Sequence, residues 1–280
     1  MTLRESWHAD RIEERRSYWR EERLEPGKTF RKERCIEIEG QDRREVEVDV
    51  AAEVSISIRL NGETVATLSP LPGLLREMAV GFLICEGLVD CPEDILSAEV
   101  GEDDIDCWSL DREEGDGWLC QCRACGSGPL AEKPGWPGWA NRDTKMKASV
   151  LLGVVDQLNS KALLWRRTGA THMAMICNAD GRILAACEDV SRSCAVDKTV
   201  GSALLSRVDL SRCALVTSGR LSRAMVAKAF FAGFPIVVSK AAPLESGIDL
   251  ARRVGMTLVA FARPPRLYVY AGEERIIDQE

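Results

Sequence analysis

The chain is poor in histidine, in aromatic side chains and in long apolar runs. Its 280 residues include two histidines and 6% aromatic residues. Lys and Arg number 37 against 44 Asp and Glu, which gives a net charge of -7. Binding to duplex DNA needs a basic surface that displaces counterions, so this charge balance argues against general DNA binding. No apolar run approaches the roughly 20 residues of a membrane-spanning helix. We therefore expect a cytoplasmic protein with no DNA partner and no membrane partner.

The chain has no secretory signal that would accompany its 11 cysteines, an odd number. Most of them are therefore expected to be small buried hydrophobic residues in a reducing compartment. Cys122 and Cys125 form a C-x-x-C pair within the stretch WLCQCRACGSGPL. In a cytosolic protein such a pair serves redox exchange, metal ligation or sulfur carriage, and each use depends on a thiolate.

Two of these uses fit the neighbouring residues poorly. A thioredoxin-like redox pair begins a helix whose amino end lowers the thiol pKa, whereas Gly126-Ser127-Gly128-Pro129 is a poor helix start. A structural zinc site would take Cys107, Cys120, Cys122 and Cys125, but three sulfurs within six residues crowd one tetrahedron. The sequence therefore predicts no metal site, and the redox and zinc roles stay as alternatives to sulfur carriage.

Changes in composition and periodicity divide the chain into three segments. Residues 1–34 are dense in charge and are predicted to be a helical or disordered leader. Residues 35–140 are predicted to form a smaller antiparallel β-rich part that ends in the thiol loop. Within this part Asn61-Gly62 marks a hairpin and residues 73–88 have helical spacing. Residues 141–280 are predicted to form an α/β domain, a mixed sheet with helices on its faces.

The third segment contains short apolar strands that alternate with helices. HMAMICN and RILAACE flank an Ala179-Asp180-Gly181 turn and predict a hairpin. CALVTS, PIVVSK and TLVAFAR predict three further strands. The predicted helices cover 147–163, 196–206, 222–231 and 246–254.

Polar residues follow the last three predicted strands at the point where each strand ends. Thr217-Ser218-Gly219-Arg220 follows the first, Ser239-Lys240 the second, and Arg263-Pro264-Pro265-Arg266 the third. The carboxyl ends of strands are where α/β folds bind ligands, and guanidinium groups match phosphate geometry. The pattern predicts a phosphate-binding edge, although cations beside strands also serve solubility. No G-x-G-x-x-G or Walker sequence supports a nucleotide site.

An ordered series of segments resembles the formate dehydrogenase accessory sulfurtransferases, the FdhD/NarQ family. The resemblance runs from about Cys35 to Asp278, and its specificity lies in the order of the segments. These are LNGETVATLSPLPG, MAVGFLICEGLV, CRACG, TGATH, EDV-x-R-x-x-AVDK-x-VG, SGRLS, GFPIVVSKAAP and TLVAFARPPRLYVY.

The resemblance implies a cytoplasmic sulfur carrier with a cytidine-deaminase-like fold, usually a homodimer. Such a protein takes persulfide sulfur from a cysteine desulfurase and passes it to the bis-molybdopterin guanine dinucleotide form of the molybdenum cofactor, for formate dehydrogenase or a related molybdoenzyme. Cys122 would hold the persulfide, with Cys125 as the second thiol. The family's cofactor-binding segment falls on Phe261, Ala262, Arg263, Pro264, Pro265 and Arg266, beside Ser218 and Arg220 of the predicted phosphate edge.

The chain departs from the family pattern in two places. Residues 190–194 read V-S-R-S-C where the family has V-G-R-H-N, so any role of that histidine is vacant, moved or taken by Cys194. Pro264 and Pro265 stand where the family favours glycine, which removes two backbone donors. A cofactor-binding chaperone that transfers no sulfur is therefore the alternative function.

Four further residues have two interpretations each. His172 either is a hydrogen-bonded core residue or lines the cofactor pocket. Asp189, Asp197 and Lys198 either face the ligand or cap and pair the helices.

Overall fold

The computed structural model describes residues 27–110 and 143–277. The strands, in chain order, are β1 (Phe30–Glu39), β2 (Asp42–Ala51), β3 (Ile56–Leu60), β4 (Glu63–Leu68), β5 (Ile95–Val100), β6 (Asp104–Ser109), β7 (Met146–Lys147), β8 (His172–Cys177), β9 (Ile183–Asp189), β10 (Ala214–Thr217), β11 (Ile236–Ser239), β12 (Thr257–Arg263), β13 (Arg266–Ala271) and β14 (Ile276–Ile277). The α-helices are α1 (Leu75–Cys85), α2 (Ala148–Lys161), α3 (Leu163–Thr168), α4 (Arg192–Leu205), α5 (Arg223–Phe231) and α6 (Glu245–Val254). Short 3-10 turns lie at Pro92–Asp94, Leu210–Arg212 and Glu273–Arg275.

A six-stranded mixed sheet in the order β13-β12-β11-β10-β8-β9 forms the centre of the fold. β10, β11 and β12 run parallel, and the remaining neighbours pair antiparallel. Parallel neighbours need a crossover, and α5 and α6 supply it between these strands. The mixed α/β fold, the hairpin and the three short strands predicted from the sequence are confirmed.

Two apolar layers cover the faces of this sheet, because successive strand residues point to opposite sides. On β8, Ala174 and Ile176 join the core formed with α1, α4, α5 and α6, while Met173 and Met175 join the core under α2. None of the helices within the described ranges is both long and apolar enough to cross a membrane.

A second sheet, in the order β4-β3-β6-β5, lies beyond α1. The Asn61-Gly62 hairpin is confirmed, with positive φ at both residues as a type I′ turn requires. The sheet is mixed rather than antiparallel, because β3 pairs parallel with β6. The chain between β3 and β6 contains α1 and is long enough for the crossover that a parallel pair needs.

Helices α1 and α4 pack at backbone contact through two glycines. A Cβ on Gly81 would lie 1.9 Å from the Asp197 carbonyl oxygen, and one on Gly201 would lie 1.8 Å from the Glu77 carbonyl oxygen. No larger residue fits at this crossing, so the two glycines set the distance between the helices. The second sheet therefore shares its core with α4 and the central sheet.

The hairpin of β1 and β2 begins inside the segment that was predicted to be a leader. β1 starts at Phe30, five residues before the predicted boundary at residue 35. This charged stretch can form a strand because β2 places acidic residues opposite two of its cations, Asp49 across from Lys32 and Glu47 across from Arg34. Arg167 holds the hairpin base through Asp49, at 2.6 Å, and lies 4.1 Å from the centre of the Phe30 ring.

Candidate functional site

The carboxyl ends of β10, β11 and β12 meet the amino end of β8 at one edge of the central sheet, which we call the strand-end site. Three hydrogen bonds join its loops. Ser239 Oγ donates to the Gly219 carbonyl at 2.6 Å, and the Lys240 amide donates to the Thr217 carbonyl at 3.3 Å. Arg263 Nε donates to the Lys240 carbonyl at 3.1 Å. The three loops that the sequence singled out therefore lie side by side.

Two buried hydroxyl groups fix the backbone of these loops. Thr217 Oγ1 accepts a hydrogen bond from the Gly219 amide at 3.1 Å, and Ser239 Oγ accepts one from the Ala241 amide at 2.9 Å. Both side chains are fully buried. Each hydroxyl thus ties the first residues of its loop back to the strand end, a local turn that serine and threonine favour.

Ser218 joins the strand-end site to His172 at the start of β8. The Met173 amide donates to Ser218 Oγ at 3.0 Å, and His172 Nδ1 lies 3.2 Å from the same oxygen. Burial, followed by the Arg192 charge, lowers the pKa of His172, while Asp189 acts in the opposite direction. The imidazole is therefore neutral at neutral pH. His172 is half-buried and hydrogen-bonded, and it also lies at the site.

Arg192 belongs to this end of the site and was not among the candidate residues predicted from the sequence. It is the exposed first residue of α4. A Cβ on Gly219 would lie 2.9 Å from Arg192 Cβ and 3.2 Å from its Cδ. The glycine of the S-G-R segment therefore leaves the space that the arginine side chain occupies. The E-D-V-x-R segment was the signal that could have identified it.

Glu188 fixes the segment that leads into His172. Its Oε2 accepts a hydrogen bond from the Leu164 amide at 2.9 Å, at the start of α3. Its Oε1 accepts from the Trp165 amide at 2.9 Å and from Thr171 Oγ1 at 2.7 Å. A carboxylate at a helix amino terminus satisfies free amides and complements the helix dipole. Glu188, the glutamate of the E-D-V segment, thus fixes the T-G-A-T-H segment that contains His172.

Asp189 fixes the segment that precedes Arg192. Its Oδ1 accepts from the Ser191 amide at 2.8 Å, and its Oδ2 accepts from the Leu71 amide at 3.0 Å and lies 2.8 Å from Lys198 Nζ. Lys198 Nζ also donates to the Leu71 carbonyl at 2.6 Å. Burial raises the pKa of Asp189, and Lys198 opposes that effect. Both side chains are buried and paired, so the interpretation that they face the ligand is wrong.

Asp197 also pairs inside the protein. Lys228 Nζ donates to its two carboxylate oxygens at 2.9 and 3.0 Å and lies 2.7 Å from Glu86 Oε1. All three side chains are about 1% exposed. Burial raises the pKa of Asp197 to about 6, against the attraction of Lys228. This buried ionic cluster joins α1, α4 and α5 beneath the sheet.

Cations collect at the other end of the strand-end site. Lys240 is half-buried, and its Nζ donates to Asn159 Oδ1 at 2.8 Å. Burial and then repulsion from Arg263 lower the pKa of Lys240, against the attraction of Asp156. Arg266 at the start of β13 is exposed, and so is Arg220 after β10. The neighbouring charges of Lys240 and Arg263 favour an anionic ligand at this end.

The segment 261–266 presents five of its six side chains to solvent, and Ala262 packs in the core. Any contact from Ala262 to a ligand would therefore come from its backbone. Phe261 has φ +47 at an irregularity in the β12–β13 pairing. A bulky residue rarely adopts this conformation, and here it turns the ring outward, 6.2 Å from the Tyr268 ring.

Cys120, Cys122 and Cys125 lie outside the described residues. Of the eight described cysteines, six are buried. Burial raises the pKa of Cys107, Cys177 and Cys194 to about 12, and that of Cys187 and Cys213 to about 11. Cys194 thus keeps its proton, so it does not take over proton transfer from the family's histidine. Within 27–110 and 143–277, no three His, Cys, Asp or Glu side chains are placed to hold a metal ion.

Comparison with known proteins points to one family. The family model for FdhD/NarQ matches residues 51–277. The sulfur carrier protein FdhD of Methanothermobacter thermautotrophicus is 35% identical over 240 residues, which cover 84% of this chain and 94% of that protein. The protein of the same name from Thermoplasma acidophilum is 36% identical over 217 residues, which cover 74% and 77%. The crystal structure of a putative formate dehydrogenase accessory protein from Desulfotalea psychrophila superposes with a TM-score of 0.72 at 28% identity, covering 89% of this chain and 100% of that one.

Proposed function

Because the chain belongs to the FdhD/NarQ family, we propose that it is a sulfur carrier that supports the maturation of formate dehydrogenase. The likeness to named sulfur carrier proteins over most of both chains is the observation that carries this proposal. The similar structure from Desulfotalea psychrophila is a putative formate dehydrogenase accessory protein, and this supports formate dehydrogenase as the client.

Sulfur enters as a persulfide on Cys122. The Cys122 thiolate attacks the outer sulfur of a persulfide on a cysteine desulfurase, a new S–S bond forms on Cys122, and the desulfurase thiolate leaves. When the Cys125 thiolate then attacks the inner sulfur of Cys122, a Cys122–Cys125 disulfide forms and the outer sulfur leaves as sulfide. In that step one S–S bond breaks and one forms: the Cys125 sulfur is oxidised, the outer sulfur is reduced to sulfide, and the Cys122 sulfur keeps its oxidation state, so the electrons balance.

The described cysteines support this choice of nucleophile. Sulfur exchange needs a reachable thiolate, and the raised pKa values of the buried thiols keep them protonated. Arg123 lies between Cys122 and Cys125 in the sequence, and a neighbouring cation favours the thiolate.

We place the sulfur acceptor, the bis-molybdopterin guanine dinucleotide form of the molybdenum cofactor, at the strand-end site as a substrate. Phosphate groups suit Lys240, Arg263 and Arg220, with the Ser218 hydroxyl beside them. From β8 to β12 the edge crosses three strand spacings, about 14 Å, which suits an extended dinucleotide. Pro264 and Pro265 supply no amide donors there, so the cationic side chains carry that part of the phosphate binding.

The proposed partners are a cysteine desulfurase as donor, formate dehydrogenase or a related molybdoenzyme as client, and a second copy of the chain in a homodimer. We place this work in the cytoplasm, where thiols stay reduced.

The test is intact-protein mass spectrometry of the full chain after incubation with a cysteine desulfurase and cysteine. We expect added sulfur on the native chain and on Cys35→Ala, which removes an exposed cysteine of the β1–β2 hairpin as a control. We expect none on Cys122→Ala. Sulfur retained by Cys122→Ala, or absent from the native chain with an active desulfurase, would contradict persulfide carriage at this residue.

A cofactor-binding chaperone without sulfur transfer is the second candidate. The first turn of α4 favours it, because Ser193 and Cys194 replace the histidine and asparagine of the family and the Cys194 thiol is protonated. An escort that uses only the strand-end site keeps cofactor binding and client activation after Cys122→Ala.

A further inference from the structure

The His172 imidazole lies at the strand-end site, and the proposed function gives it no task. Its Nδ1 lies 3.2 Å from Ser218 Oγ, and the ring is half-buried. Within the described parts of the chain, the ring has no second hydrogen-bond partner. A half-buried imidazole at a cationic site therefore keeps one nitrogen for another molecule.

The contacts of Ser218 decide which nitrogen carries the proton. Ser218 Oγ already accepts a hydrogen bond from the Met173 amide at 3.0 Å. The hydroxyl proton needs an acceptor, and His172 Nδ1 is the acceptor within reach among the described residues. If Ser218 donates to Nδ1, the proton of the neutral ring sits on Nε2.

The charged groups around the ring agree with a neutral donor. Arg192 on α4 disfavours a second positive charge, and burial acts in the same direction. Asp189 on β9 is the carboxylate that opposes them, and its oxygens are bound to the Leu71 and Ser191 amides and paired with Lys198. Among the described residues, no carboxylate is therefore free to pull the proton onto Nδ1.

We propose that His172 binds the anionic ligand of the strand-end site as a neutral hydrogen-bond donor through Nε2–H, in the tautomer that Ser218 selects. His172 is the binding residue, and Ser218 is a positioning residue that acts through it. The inference rests on the proposed function only in placing an anion at this edge. It adds an uncharged recognition group at the β8 end, about 14 Å from the Arg263 end.

Nitrogen NMR of the full chain labelled at histidine tests the tautomer. The chain has two histidines, so His172→Gln assigns the spectrum by removing one ring system. At pH 7.5 we expect His172 with an unprotonated Nδ1 and a protonated Nε2. Ser218→Ala should shift the ring toward a mixture of tautomers. A native spectrum with Nδ1 protonated would overturn the inference.

Calorimetric titration with inorganic pyrophosphate tests the binding role. His172→Gln places an amide donor close to the Nε2 position, whereas His172→Asn reaches only as far as Nδ1. We expect His172→Asn to weaken pyrophosphate binding by roughly ten- to a hundredfold, as loss of a hydrogen bond to a charged group would. His172→Gln should retain most of the native affinity for pyrophosphate.

The outcomes separate this inference from the proposed function. If the native chain and His172→Asn bind pyrophosphate equally well while Arg192→Gln, which removes the cation beside His172, binds poorly, the anion site stands and the role of His172 is refuted. If the native chain binds no pyrophosphate, the proposed anion site fails and the inference fails with it.

Discussion

The buried ionic cluster makes a sharp prediction, because one ammonium group faces two carboxylates. Lys228 Nζ lies 2.9 Å from Asp197 Oδ1 and 2.7 Å from Glu86 Oε1, and all three side chains are about 1% exposed. Lys228→Met leaves two buried carboxylates without a cation, whereas Asp197→Asn leaves a one-to-one pair of Lys228 and Glu86. The two substitutions should therefore have very different costs.

Lys228→Met should lower the free energy of unfolding by about 3–5 kcal/mol, the cost of leaving a buried charge unpaired. For a chain of this size that corresponds to a fall in Tm of roughly 6–20 °C. Asp197→Asn should cost about 1 kcal/mol or less at pH 7. Thermal and urea unfolding measure both, with the exposed Lys145→Met as a control that should change little.

The pKa of Asp197 predicts in which direction the free energy of unfolding changes with pH. Burial raises the pKa of Asp197 from its ordinary 3.8 to about 6, so between these pH values the folded protein holds a proton that the unfolded chain has lost. This group's contribution to stability is therefore full below pH 3.8 and is lost as pH rises toward 6, by about 3 kcal/mol. Over that range the free energy of unfolding of Asp197→Asn should rise relative to that of the native chain. An equal cost for both substitutions, or a pH-independent difference, would refute the reasoning.

Three further predictions concern the helix crossing and the strand-end site. Gly81→Ala should cost about 3 kcal/mol or more in urea unfolding, because its Cβ would lie 1.9 Å from the Asp197 carbonyl oxygen; Gly153→Ala, with open space at an exposed α2 position, should be neutral or stabilising. Phe261→Gly should raise the free energy of unfolding by about 1 kcal/mol through relief of its positive φ, yet weaken ligand binding; lower stability would contradict this. Lys240 should react with an acylating reagent faster at pH 8 than exposed lysines, because its lowered pKa leaves more free amine, and Arg263→Gln should slow that reaction; an unchanged rate would show that Arg263 has no effect.

Local patterns were enough to predict the strand-end site. The runs that become β10, β11 and β12 are short and apolar, and each ends at a polar residue, so strand and loop can be read from neighbouring residues alone. The order of parallel strands then brings their ends together.

Contacts between residues far apart in the sequence could not be predicted in the same way. His172 and Ser218 meet because β8 and β10 are neighbours in the sheet. The parallel pairing of β3 with β6 depends likewise on how α1 packs against both. No local pattern indicates either pairing.

The E-D-V segment shows a second limit. Adjacent acidic residues at the end of a strand are typical of a solvated surface, but Glu188 and Asp189 each bind backbone amides of a different segment. A carboxylate that satisfies amides at a helix start has the same sequence appearance as one that faces water. The tertiary fold decides between them.

The most direct test of sulfur carriage is activation of formate dehydrogenase in cells that depend on this chain. Client activity should be lost with Cys122→Ala and kept with Cys35→Ala, while pyrophosphate binding by the purified Cys122→Ala chain stays at the native level. Full client activity with Cys122→Ala would contradict sulfur transfer through this residue and would favour the escort function.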